Sequence, residues 1–116
     1  MDNLNSLILE GKVLENAELT ETLEGSAICN FFVGVSRTYK GRTGNDVEEV
    51  STFKIGCYGA MARSLAQKLT KDTEVRVVGR LKQHKWTDKD GKNWSEIVVV
   101  AEHIEIKKKG GSNVHN

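Results

Sequence analysis

Between Arg80 and Val100 the chain reads RLKQHKWTDKDGKNWSEIVVV, and the residues best suited to chemistry fall there. Lys82, His84 and Trp86 occupy alternate positions, so on a strand they share one face while Gln83 and Lys85 take the other. Asp88 to Asn93 is polar and contains Asp90-Gly91, where glycine accepts the positive φ of a tight turn. The chain then returns as an apolar strand and sets Trp94 across the hairpin from Trp86. An ammonium beside an indole suits single-stranded nucleic acid: the cation holds a phosphate and the ring stacks on any base. The same two rings also suit a cross-strand pair that only braces the hairpin. The stretch alone leaves both readings open.

Composition narrows the classes. Lys and Arg number 17 against 16 Asp and Glu, a net charge of +1, so binding through bulk positive charge is excluded and a nucleic-acid site must be a local basic groove. With 116 residues the chain suits one domain with a modest core. Proline is absent, so nothing interrupts long strands. Cys29 and Cys57 sit in apolar, strand-like runs with no zinc spacing, which reads as reduced core residues and no metal. There is no nucleophile–base pair and no carboxylate cluster, hence no catalytic residue and no enzyme, and nothing calls for a cofactor. No basic region followed by a long apolar run opens the chain, so a cytoplasmic location is expected.

Lys85-Trp86-Thr87-Asp88, Asp90-Gly91 and Glu96-Ile97-Val98-Val99 together resemble the corresponding hairpin of bacterial single-stranded DNA-binding proteins. Further similarity lies at Asn5, Leu7-Ile8-Leu9 and Gly11-Lys12, at Glu18-Leu19 and Gly25, at Tyr39, at Tyr58-Gly59 and in the helix that follows. The resemblance spans about Asn5 to Ile106. It implies an all-β OB-fold, a five-stranded Greek-key barrel with one helix between strands 3 and 4. It also implies base stacking by Trp86 and by the aromatics Tyr39 and Tyr58. A homotetramer, an association with the nucleoid and work in replication, recombination and repair follow from the same resemblance.

The elements that must position these residues are legible in outline. Asn5 to Leu14 reads as a first strand with Leu7, Leu9 and Val13 inward, Gly11 at a bend, and Lys12 outward as a phosphate candidate. Glu15 to Gly25 is an acidic connection with room for a short strand, and its charge argues against phosphate contacts there. Ser26 to Tyr39 is the second strand, with Cys29, Phe31, Val33 and Val35 inward and Phe32 on the opposite face as a stacking ring or a subunit contact. Gly41 to Glu49 reads as a loop, Val50 to Tyr58 as the third strand with Phe53, Ile55 and Cys57 inward, and Ala60 to Leu69 as a helix capped by Gly59. Glu74 to Trp86 and Ile97 to Ile106 complete the barrel; the Ile97–Ala101 run is expected to be buried on both sides or in a subunit contact. Residues 1–106 then form the domain, and 107–116 a basic, polar tail too poor in apolar residues to fold.

The expected stacking set is Tyr39, Tyr58, Trp86 and Trp94; the expected phosphate set is Lys12, Arg37, Lys40, Arg42, Lys54, Lys82, His84 and Lys85. Three features depart from the family pattern. Thr20-Glu21 stands where an Arg or Tyr is usual, Thr52 stands where a stacking aromatic is usual, and the acidic, Phe-ending tip that recruits replication and repair proteins is missing. The leading expectation is a sequence-tolerant binder of single-stranded DNA. An alternative is a related primosome accessory protein acting mainly through protein contacts; a further one is an RNA-binding OB module, which a preference for the 2′-OH would reveal.

Overall fold

The computed structural model describes residues 2–110. Its strands are β1 (Leu7–Val13), β2 (Glu18–Glu21), β3 (Ala27–Lys40), β4 (Asp46–Tyr58), β5 (Glu74–Thr87) and β6 (Asn93–Lys108), with α1 (Gly59–Leu65) between β4 and β5. The sheet order is β1-β5-β6-β4-β3-β2, and an additional β1–β3 pairing joins the ends. Five strands therefore close a barrel, and β2 lies outside the ring against β3. All pairings are antiparallel except β4–β6, where Ile55 lies opposite Val99. This is the expected OB-fold, with the helix between the third and fourth barrel strands.

Alternation builds the core. Val13, Cys29, Phe31, Val33, Ile55, Cys57, Val75, Val77 and Val99 point into the barrel, each almost fully buried. Burying an aliphatic side chain of this size contributes about 1.5–3 kcal/mol, so this set outweighs any surface ion pair. Leu69 is also fully buried, although α1 ends at Leu65 rather than at the expected Leu69. The four-residue recurrence of Met61, Leu65 and Leu69 is real, but turns follow Leu65, and the Leu69 carbonyl accepts from the Ala17 N–H at 2.9 Å. The N-cap is Tyr58, one residue before Gly59.

Two glycines let the barrel close. A Cβ on Gly79 would overlap the Val100 carbonyl oxygen, and one on Gly11 would overlap that of Gly34. Gly79 also marks the register shift in β5–β6, so the strand bends where its backbone meets the neighbour most closely.

The hairpins outgrow the barrel. In β3 burial stops near Val35, in β4 it begins near Ile55, and β5 is exposed from Arg80 onward. Two ribbons project as a result. Asp46 to Glu49, expected in a loop, are ladder residues opposite Arg37 to Lys40, and the turn shrinks to Gly41–Asn45. Phe53, expected inside, is 37% exposed, and Ile97, expected buried or in a subunit contact, is 60% exposed, because they lie where the ribbons leave the core. The buried part of the Ile97–Ala101 run begins at Val99. β6 continues through Lys108, which pairs with Glu74, so Lys107 and Lys108 are strand residues; residues 111–116 lie outside the described residues. No described helix is long and apolar enough to cross a membrane.

Candidate nucleic-acid interface

The β4, β5 and β6 register gathers one outward face. Tyr58, Gly56 and Lys54 alternate along β4; Lys82, His84 and Trp86 along β5; Val98, Glu96 and Trp94 along β6. Lys82 lies opposite Val98, His84 opposite Glu96 and Trp86 opposite Trp94. Tyr58, Lys54, Lys82, His84 and Glu96, with Asn30 from β3, line a shallow groove of about 180 Å³. The parity expected for Lys82, His84 and Trp86 holds.

Within this face the side chains are ordered by specific contacts. The Trp86 ring stacks on His84, with centroids 5.1 Å apart and planes 28° from parallel, and 41% of the residue stays exposed. Trp94 is held differently. Its Nε1–H donates to Asp88 Oδ2 at 2.7 Å, and Lys92 Nζ sits 4.5 Å from the ring centroid, a cation–π contact. Asp88 Oδ1 accepts the N–H groups of Asp90 and Lys92, each at 2.9 Å, which closes the turn. The Trp94 hydrogen bond, then the backbone N–H groups, hold the Asp88 carboxyl below its usual range. Asp88 is thus the residue that fixes both the turn and the second indole, a role that its place after Lys85-Trp86-Thr87 did not disclose.

Lys54 Nζ donates to Glu96 Oε2 at 3.3 Å, with both groups about one-third exposed. Glu96 puts an anion among the cations of the groove and pairs with Lys54. Residue order alone does not reveal this pair; the β4–β6 and β5–β6 registers create it.

The remaining candidates lie elsewhere. Arg37, Tyr39, Lys40 and Arg42 are on the β3–β4 ribbon and its turn. Arg37 Cζ is 5.6 Å from the Tyr39 ring centroid, and Tyr39 is 42% exposed opposite Val47. By parity Tyr39 follows Val33 and Val35, so it faces away from the side that carries Lys54 and Tyr58. Lys40 and Asp46 form an ion pair of 3.7 Å, three-quarters exposed, which contributes little. Lys85 pairs opposite Ser95 on the reverse side of the hairpin. Lys12 lines a separate hollow of about 510 Å³ with Glu10, Ser36, Val50 and Lys107. The structure therefore unites Tyr58, Trp86, Trp94, Lys54, Lys82 and His84 and sets Arg37, Tyr39, Lys40 and Arg42 on a second arm; Lys85, on the reverse side by parity, still lines a hollow with Trp86 and Trp94, and Lys12 lies apart.

Thr52 lies opposite Gly34 on the same outward face as Lys54 and Tyr58. The β3–β4 ladder runs without a shift from Ile28–Tyr58 to Lys40–Asp46, so no bulge brings Phe53 into the place of Thr52.

Comparison with known proteins shows the family and the fold. A family model described as the single-strand binding protein family matches residues 4–107. A single-stranded DNA-binding protein of Treponema pallidum is 34% identical over 107 residues, covering 91% of this chain and 59% of the relative. One from Aquifex aeolicus is 32% identical over 103 residues, covering 89% of this chain and 69% of the relative. A crystal structure of a deletion mutant of the single-stranded DNA-binding protein from Thermus aquaticus superposes with a TM-score of 0.79 at 27% identity, covering 90% of this chain and 51% of that one. The chain thus spans about half to two-thirds of the length of these proteins.

Proposed function

The chain belongs to the single-strand binding protein family, and we propose that it binds and protects single-stranded DNA without regard to sequence. The observation that carries this reading is the outward face shared by Tyr58, Trp86, Lys54 and Lys82: exposed rings stand with cations on β4 and β5, on either side of β6 in one barrel. Rings accept any base and ammonium groups accept phosphate, so the arrangement rewards an unpaired strand and gives a duplex, whose bases are stacked and hidden, little to stack on. The function is binding, with no bond made or broken. Arg37, Tyr39, Lys40 and Arg42 on the β3–β4 arm supply a second contact region for the same strand, and a homotetramer lets one strand pass over several barrels. Replication, recombination and repair are the processes that expose such strands. Other proteins of those processes are candidate partners.

The test is a fluorescence-anisotropy titration with labelled dT oligomers, mixed-sequence single strands, duplex DNA and an RNA of matching sequence, at low and high salt. The expected result is similar affinity for the DNA single strands and much weaker binding of duplex. Log affinity should fall linearly with log salt, with a slope of about −0.7 per phosphate neutralised. Equal affinity for duplex, or no binding of single strands at low salt, would overturn the reading. The second outcome favours a fold relative that acts through protein contacts. Preference for RNA favours recognition of the 2′-OH.

A further inference from the structure

We infer that Phe32 is an additional base-stacking residue, extending the binding face beyond the groove to the middle of β3. The inference rests on the single-strand-binding reading above. Phe32 lies directly opposite Lys54, so its side chain leaves the sheet on the face that carries Lys54 and Tyr58. It is 44% exposed, as open as Tyr58 and slightly more open than Trp86. The residues that precede it on the same side of β3, Ile28 and Asn30, already line the groove, so Phe32 is the next side chain in that row.

Its surroundings leave the residue exposed. Thr52 is its diagonal neighbour on β4, and Gly34 is the next outward position on β3. Diagonal positions on paired strands are about 7–8 Å apart, within reach of an aromatic ring; Thr52 is too small to cover one, and the Leu14 and Val50 side chains that pack over Gly34 border the Phe32 site on that side. The backbone is also fixed. The Phe32 carbonyl accepts the Leu14 N–H at 2.9 Å, and the β3–β4 ladder runs unbroken through Phe32. A ring on a rigid strand beside a lysine has the geometry of a stacking platform, with Lys54 placed for the adjoining phosphate. Ile28 and Phe32 are four residues apart, and Tyr58 lies opposite Ile28, so the backbone positions of Tyr58 and Phe32 stand about 13 Å apart along the sheet, with the Tyr58 ring leaning over Gly56 toward Phe32. A strand leaving Tyr58 along β3 and β4 would meet Lys54 and Phe32 side by side.

An exposed apolar side chain can also serve a contact between copies of the chain, and the choice of substitutions separates the two roles. Phe32→Leu keeps apolar bulk and loses the π-face; Phe32→Tyr keeps the face. Binding of a dT oligomer is read by anisotropy, and mass in solution by light scattering. The expected result is a loss of affinity of about 5- to 150-fold in Phe32→Leu, the worth of one base–aromatic stack. Phe32→Tyr should stay near wild type, and mass should be unchanged in both. Wild-type affinity in Phe32→Leu would overturn the inference, as would a loss that accompanies a changed mass. If the wild-type chain itself fails to bind, the functional reading falls first and the inference with it.

Discussion

Replacing Trp86 by alanine is expected to weaken binding of a dT oligomer by about 5- to 150-fold, since one base–aromatic stack contributes roughly 1–3 kcal/mol. Trp86 is supported from one side by His84, which sets the angle of the ring and leaves its other face open to a base. Trp94→Ala should behave differently. Lys92 covers one face of that indole and Asp88 anchors its N–H, so the ring is built into the turn. Its removal should cost less in affinity and more in the order of the hairpin. Anisotropy titrations of the two variants, with a thermal melt of each, check the contrast. Equal losses of affinity in both would mean that the two rings act as one platform.

Alkaline pH should destabilise the fold through its buried thiols. Cys29 and Cys57 face each other across β3–β4, both fully buried. Burial pushes the Cys57 thiol up to about 12, with the neighbouring Cys29 adding to the effect, and burial raises the Cys29 thiol as well. In the unfolded chain the same thiols ionise near the ordinary value of 9.0. The folded state therefore holds protons that the unfolded state has released. The stabilisation is complete below about pH 9 and declines as pH rises toward 12, by about 1.4 kcal/mol per pH unit for each such proton. Urea unfolding at pH 7.5 and pH 10.5 should show a loss from Cys57 on the order of 2 kcal/mol. The Cys29→Ala/Cys57→Ala double variant should start less stable, because two buried side chains are cut back, and should lose less over the same interval. An equal loss in both proteins would show that other groups dominate.

How far the sequence disclosed this molecule can be judged residue by residue. The inward sets of β3 and β5 were legible because one side of each strand is packed against the barrel interior, and strict alternation follows. Gly79 was legible as a close approach, since a central strand tolerates a glycine where a neighbouring backbone leaves no room. The ribbons were not legible. Asp46 to Glu49 carry no apolar alternation because neither side of that part of β4 is buried, and a strand held only by its ladder looks like a loop in its composition. Parity gave the side to which Phe53 and Ile97 turn but not the point at which the barrel stops. The binding face was half legible. Lys82, His84 and Trp86 could be placed together from one strand. The pairing of Lys54 with Glu96 depends on register between strands far apart in the chain. Such register is fixed by closure of the whole barrel and not by local pattern.

Both tryptophans of the chain, Trp86 and Trp94, stand opposite each other on the β5–β6 hairpin, so their fluorescence reports directly on that part of the proposed interface. The most direct measurement is a titration with poly(dT) that follows tryptophan emission at low salt and again at high salt. Strong quenching that saturates at low salt and is relieved as salt rises is the predicted result: bases stack on Trp86 while phosphates are held by the neighbouring cations. Emission unchanged by a strand that anisotropy shows to be bound would place the DNA elsewhere on the barrel and contradict the account.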